Sequence, residues 1–250
     1  MTSALALAMI LGTAAAWAPG SSSAIGWRQR SSVGRHAARM QFGNPFEGIK
    51  NPFADKSDGA TTVSVSFSFR CPERGPRSIL GQLDSLAANA DTSTAMGVSN
   101  LCGDAAMALL RRQSEWLACA VTAKHEGDDD AALSSFDRLS IREAAKFDDR
   151  EPSATVDAAL AAAGVGGSSA PPTIAVVCLV ACLMGDREEQ IATEAYGDAA
   201  AARQALEELA AAANGDEEVF AFELFWVPGD DKEILELDEV AQDWPELMTC

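Results

Sequence analysis

The sequence predicts an α+β fold: a sheet of about four strands covered by helices in a single domain over residues 61–250. Three observations carry that prediction. "TTVSVSFSF" at 61–69 alternates apolar and polar residues with period two. "TIAVVCLVACLM" at 173–184 is a continuous apolar run, too short to span a bilayer and suited to a central strand covered on both faces. Elsewhere, apolar residues recur three and four apart, the spacing of a helix with one buried stripe.

Taken in order, Val63, Val65, Phe67 and Phe69 alternate with Ser64, Ser66 and Ser68, which predicts a half-buried strand. Gly75-Pro76 breaks it and opens a helix, since proline is tolerated in a first turn. Ile79, Leu80, Leu83, Leu86 and Ala90 line that helix's inner face. In "DTSTAMG", Ser93 or Thr94 offers an N-cap oxygen to a second helix, which buries Val98, Leu101, Cys102, Ala105 and Leu109. Arg111 and Arg112 fall in its last turn, where the helix dipole favours cations. "EWLACAVTA" predicts a second strand, and Asp128 to Asp130 open a third helix running to about Phe147.

Residues 150–172 are rich in Gly, Ala, Ser and Pro and predict a linker or long loop before the apolar third strand. An Ala-rich helix over 198–213 turns Leu206 and Leu209 inward. "EEVFAFELFWV" is a fourth strand with Phe220, Phe222, Leu224 and Trp226 on one face. A short helix covers roughly 236–243; Ile234 and Leu235 just before it and Leu237 and Val240 within it face in, and Trp244-Pro245 plugs the core. The order is βααβα, linker, βαβα.

Ahead of this body stands a leader, residues 1–40. Ala4 to Leu11 is an apolar run of signal-peptide length, and "TAAAWAP" supplies small residues for cleavage. A segment rich in Ser, Ala and Arg follows, which is transit-peptide composition. The two in series resemble the bipartite leaders of proteins sent to secondary plastids of algae, with Ala16 before Trp17 at the first cut and Arg39–Met40 near the second. An ordinary secreted protein with a basic pro-segment is the alternative. Residues 41–60 read as a flexible arm in which Asn44-Pro45-Phe46 and Asn51-Pro52-Phe53 form two turns, each with an apolar plug.

The leader holds Arg28, Arg30, Arg35 and Arg39 and no acid, so the body is more acidic than the formal net charge of −18. Such a surface repels phosphate, which argues against nucleic-acid binding and leaves at most peripheral membrane association. The six cysteines form neither a CxxC pair nor a spaced Cys/His set, and read as reduced or buried thiols. His36 and His125 are the two histidines, too few for most zinc sites or His-dependent catalysis.

Two acidic stretches invite a catalytic reading. "HEGDDD" at 125–130 sets His125 beside four acids, and seven acids run from Asp230 to Asp243. The first lacks calcium-loop spacing and suits the start of a helix. In the second, Asp230, Asp231, Glu233, Glu236, Asp238, Glu239 and Asp243 decorate a turn and a short helix, and nothing in the sequence fixes two of them in a cleft. No phosphate loop occurs; "GVGG" at 164–167 has neither a preceding strand nor a following lysine. No catalytic, cofactor-binding or metal residue is assigned, and no cofactor is expected.

The closing stretch resembles the plastid and cyanobacterial family of domain of unknown function 1517. The residues concerned are Glu223, Trp226, Pro228, Asp230, Leu235, Asp238, Glu239, Trp244, Pro245 and Leu247. "ADTSTAMGV" at 90–98, "ALLRRQSEW" at 108–116 and "FDRLSIREAAKFD" at 136–148 agree in the same order. The likeness covers about 61–248. It implies a thylakoid-linked, non-enzymatic role in photosynthetic acclimation, since the family includes a fluctuating-light-acclimation protein of thylakoids, with protein partners such as thylakoid complexes. Many relatives carry a transmembrane helix ahead of the domain; no such span follows the leader here, which favours a stromal or peripherally bound form. A small metal-dependent hydrolase built on the acidic loops and a structural subunit of a larger plastid assembly stand as alternatives; the oligomeric state is left open.

A fluorescent reporter fused behind residues 1–45 is expected to enter the plastid. Export to the medium would contradict the bipartite reading.

Overall fold

The computed structural model describes residues 59–148, 172–215, 218–229 and 233–250, with 36–40 and 154–155 as backbone only. In chain order the strands are β1 (His36–Met40), β2 (Ala60–Cys71), β3 (Trp116–Glu126), β4 (Ala154–Thr155), β5 (Thr173–Met184), β6 (Glu194–Tyr196), β7 (Val219–Val227), β8 (Glu233–Ile234) and β9 (Met248–Thr249). The helices are α1 (Ile79–Asn89), α2 (Ala95–Leu110), α3 (Asp129–Asp148), α4 (Ala199–Ala213) and α5 (Leu237–Asp243), with a 3-10 turn at Gln113–Glu115.

A near-continuous apolar run needs cover on two sides, and β5 has it. Its neighbours β2 and β7 are antiparallel to it, giving the sheet order β1-β7-β5-β2-β3-β6, with β9 beside β6 on the outer edge of β3. Ala175, Val177, Leu179, Ala181 and Leu183 face one core, and Val176, Cys178, Val180 and Cys182 face the other. Helices α1, α2 and α4 cover the first face; α3 and α5 cover the second. The chain is thus one α+β domain, an antiparallel sheet partly covered by helices.

The four long strands match the sequence prediction, and the three short edge strands enlarge the sheet to seven. Pieces of two to five residues show no period, so they leave no trace in the sequence. β1 lies inside the expected leader and pairs with Phe222–Trp226 of β7. Within the expected linker, β4 pairs with β8. The rest of that linker, the arm at 41–58 and "GVGG" lie outside the described residues.

Several local expectations are corrected. β2 is buried on both faces rather than half-buried, because α3 lies over Ser64, Ser66 and Ser68. Short hydroxyls allow that approach, and two of this strand's take internal partners: Thr62 Oγ1 donates to Ala132 O at 3.1 Å, and Ser64 Oγ lies 3.6 Å from Cys178 Sγ. Helix α1 begins at Ile79 rather than at Pro76. Ser78 is its N-cap, accepting from Gly81 N at 3.1 Å and donating to Gly75 O at 2.7 Å. Thr94 caps α2, and Arg111 stands at its C-cap rather than in its last turn. A register shift in β7 turns Phe220 to the α3 side, away from Phe222, Leu224 and Trp226.

Truncating Leu179, fully buried at the centre of β5, is expected to cost about 2–5 kcal/mol in a urea titration. A loss under about 1 kcal/mol for Leu179→Ala would mean that the β5 core can collapse around the gap, against the two-sided packing described.

Candidate functional site

The acidic stretch after β7 is built from the turn upward. Val227-Pro228 leaves the strand through a cis peptide bond. Glu233 folds back, buried, so that its carboxylate accepts from Gly229 N at 3.3 Å, while its carbonyl accepts from Arg74 Nη1 at 2.6 Å. At the start of α5, Glu236 and Glu239 form a capping box: the Glu236 amide donates to Glu239 Oε2 at 2.8 Å, and the Glu236 carboxylate accepts from the Glu239 amide. Carboxylates here satisfy orphan helix donors and complement the positive end of the helix dipole. Leu235, Val240 and Trp244 point into the core against Phe147 and Phe225. Leu237, expected inward, is 63% exposed, and Pro245 is exposed too; Trp244 alone is the plug. Asp230 and Asp231 lie outside the described residues.

The other acidic stretch divides in the same way. Asp128 caps α3 through Ala131 N at 3.0 Å, and Asp129 and Asp130 occupy its first turn. Glu126 receives Lys124 Nζ at 2.6 Å and Ser135 Oγ at 3.0 Å; these hydrogen bonds hold its carboxyl below the usual range. His125 Nδ1 lies 3.5 Å from Thr61 Oγ1. Among the described residues, no three His, Cys, Asp or Glu side chains come together to hold a metal ion.

A polar cluster that the sequence did not reveal sits under α3. Glu143 is 2% exposed and takes Arg142 Nη2 at 3.0 Å and Lys146 Nζ at 2.7 Å. Lys146 Nζ also reaches Glu246 Oε1 at 2.5 Å, clamping α3 to the segment behind Trp244. Burial pulls the Lys146 ammonium pKa down, but the hydrogen bonds to Glu143 and Glu246 outweigh it and leave it raised. A raised ammonium stabilises the fold below its unfolded value and loses that effect as pH rises past the folded one, so the clamp holds at neutral pH. Burial, with the charge of Glu143, pushes the Cys178 thiol up to about 12, which keeps it a poor nucleophile. A buried carboxylate whose oxygens are taken by two cations is an anchor rather than a general base. One signal could have found it: the inward stripe Ala132, Phe136, Ser140, Glu143, Phe147 has helical spacing.

Two shallow clefts run along the seam of α1 and α2, of about 370 and 590 Å³, sharing Ser85, Leu86 and Asp104. Asp91 at one end is held by Ser93 Oγ at 2.6 Å, and Arg112 at the other by Glu115 at 2.8 Å. Neither cleft contains a residue of the two acidic stretches.

Comparison with known proteins agrees with the resemblance noted in the sequence. The family model described as "Protein of unknown function (DUF1517)" matches residues 61–250. Protein FLAP1 homolog A of the cyanobacterium Synechocystis is 29% identical over 179 residues, covering 66% of this chain and 50% of that protein. The chain therefore spans about half the length of the curated relative it matches. No solved structure matches.

Replacing Glu236 or Glu239 by alanine is expected to cost about 1 kcal/mol through loss of the cap. Millimolar Mg²⁺ or Ca²⁺ should leave the melting temperature of the intact chain unchanged. Divalent-ion stabilisation that disappears in these variants would instead make the stretch a metal site.

Proposed function

The chain belongs to the DUF1517 family, and from that membership we propose that it is a plastid-targeted accessory protein. It associates with thylakoids and acts in photosynthetic acclimation through contacts with other proteins rather than by catalysis. The family relation to a cyanobacterial protein supports a photosynthetic setting. No helix among the described residues is long and apolar enough to cross a membrane, which is compatible with attachment at the stromal face.

The observation that carries the contact reading is the outer edge of β7. β1 covers Phe222–Trp226 of that edge, and the expected leader cut at Arg39–Met40 falls within β1. Processing there would free a row of backbone donors and acceptors on a strand otherwise locked into the core. An open strand edge accepts an added strand from a partner, with main-chain hydrogen bonds supplying affinity. The hydrolase alternative gains no comparable support, because among the described residues of the two stretches Glu236, Glu239, Asp128 and Glu126 are engaged in caps and an ion pair.

Washing isolated plastid membranes separates the outcomes. The protein is expected to stay with thylakoids after lysis and to come off with salt or carbonate, together with a co-purifying protein complex. Retention after carbonate would contradict peripheral attachment, and a protein found alone in stroma under all light regimes would remove the thylakoid role.

A further inference from the structure

The outer edge of β3 brings two cysteines to diagonal positions, Cys119 opposite Met248 and Cys250 two residues further on beside Leu117. β6 pairs with Ala120–Thr122, and β9 pairs with Ala118 and Cys119 just beyond it. Cys250 follows β9, its amide donating to Leu117 O at 3.3 Å. Gly197, at φ +70 just after β6, comes close to β9 along the same edge: a Cβ there would stand 2.7 Å from Thr249 O and 3.1 Å from Met248 Cβ. The Gly197 amide donates to Cys119 O at 2.9 Å. β9 thus lies on the strand that bears Cys119, against the glycine turn that ends β6.

The two thiols differ in access. Cys119 is 0% exposed, in the core on the α4 side of the sheet, whereas Cys250 is exposed. The register sets Cys250 on the same side of this edge as Cys119, one diagonal step away, and within side-chain hydrogen-bonding reach of it. The remaining cysteines, Cys71, Cys102, Cys178 and Cys182, are all buried. Cys178 and Cys182 stand four apart on one strand, roughly 13 Å between Cα atoms at strand rise, beyond disulfide reach.

We propose that Cys250 and Cys119 form a redox pair, in which exposed Cys250 reacts with an external disulfide and buried Cys119 resolves it into an intramolecular disulfide. The Cys250 thiolate attacks one sulfur of a small-molecule or protein disulfide; that S–S bond breaks, and one thiolate leaves with the electron pair. Cys119 gives its proton to water and attacks Sγ of Cys250, and the second thiolate leaves as the Cys119–Cys250 bond forms. The protein loses two electrons and two protons, and the external disulfide becomes two thiols. The product staples β9 to β3 and fixes this sheet edge. Burial, with Cys250 and Asp198 adding to it, pushes the Cys119 thiol up to about 12. Cys119 is therefore a slow resolver and a poor leaving group, so the bond, once made, is reduced slowly.

The test exposes the full chain to oxidised glutathione, then denatures it and labels the remaining thiols with a mass-tagged maleimide. Two of the six thiols are expected to disappear, and a peptide map should join the Cys119 and Cys250 peptides. Cys250→Ser, at an exposed position, should fold and keep every remaining thiol free, while Cys182→Ser should still form the link. All six thiols remaining, a stable glutathione adduct on Cys250 with Cys119 free, a Cys250–Cys250 dimer, or a link between any other pair would overturn the proposal.

Discussion

Everything in this fold depends on hiding β5 from water on both faces. From Ala175 to Leu183 no residue retains exposure, and β2 and β7 close its two edges. A buried Leu or Val side chain contributes roughly 1.5–3 kcal/mol, so an apolar strand of this length supplies much of the core but demands two layers of cover. The amphipathic helices α1, α2 and α4 meet that demand on one face. On the other face α3 does so with the aromatic cluster of Phe147, Phe225 and Trp244.

That constraint assigns the polar residues their places. The serines of β2 are buried because α3 must approach the sheet, and a larger side chain at Ser64 or Ser66 would hold it off. Glu143 is tolerated in the same layer because Arg142, Lys146 and Glu246 complete a paired network. Glu236, Asp238 and Glu239 after β7, and Asp128, Asp129 and Asp130 before and in the first turn of α3, then fall at helix starts, where carboxylates stabilise the chain. The proposed contact and redox pair accordingly lie outside these layers, at the edges of β7 and β3.

The sequence revealed most of what has length and period. Alternation in 61–69 and the apolar run at 173–184 located two central strands, and Thr94, Leu206, Leu209 and Trp244 took their expected roles. It failed where burial runs against polarity. Ser64, Ser66, Ser68 and Glu143 look solvated by composition, and only the covering helix buries them. It failed also where an element is too short to be periodic, as with β6 and β9, and where a register shift reverses one side chain, as with Phe220. The acidic residues were read in their structural sense because capping rules concern neighbours in sequence. The approach of Cys250 to Cys119 was invisible, since it joins positions far apart through a two-residue strand.

Native-state hydrogen exchange tests the two-sided burial of β5 most directly. The account predicts that the amides of Val176 to Leu183 are the slowest in the protein and open only with global unfolding, while those of α5 exchange through local opening. Exchange in β5 as fast as in α5 would contradict it, because the strand on which the other elements depend would then be a peripheral one.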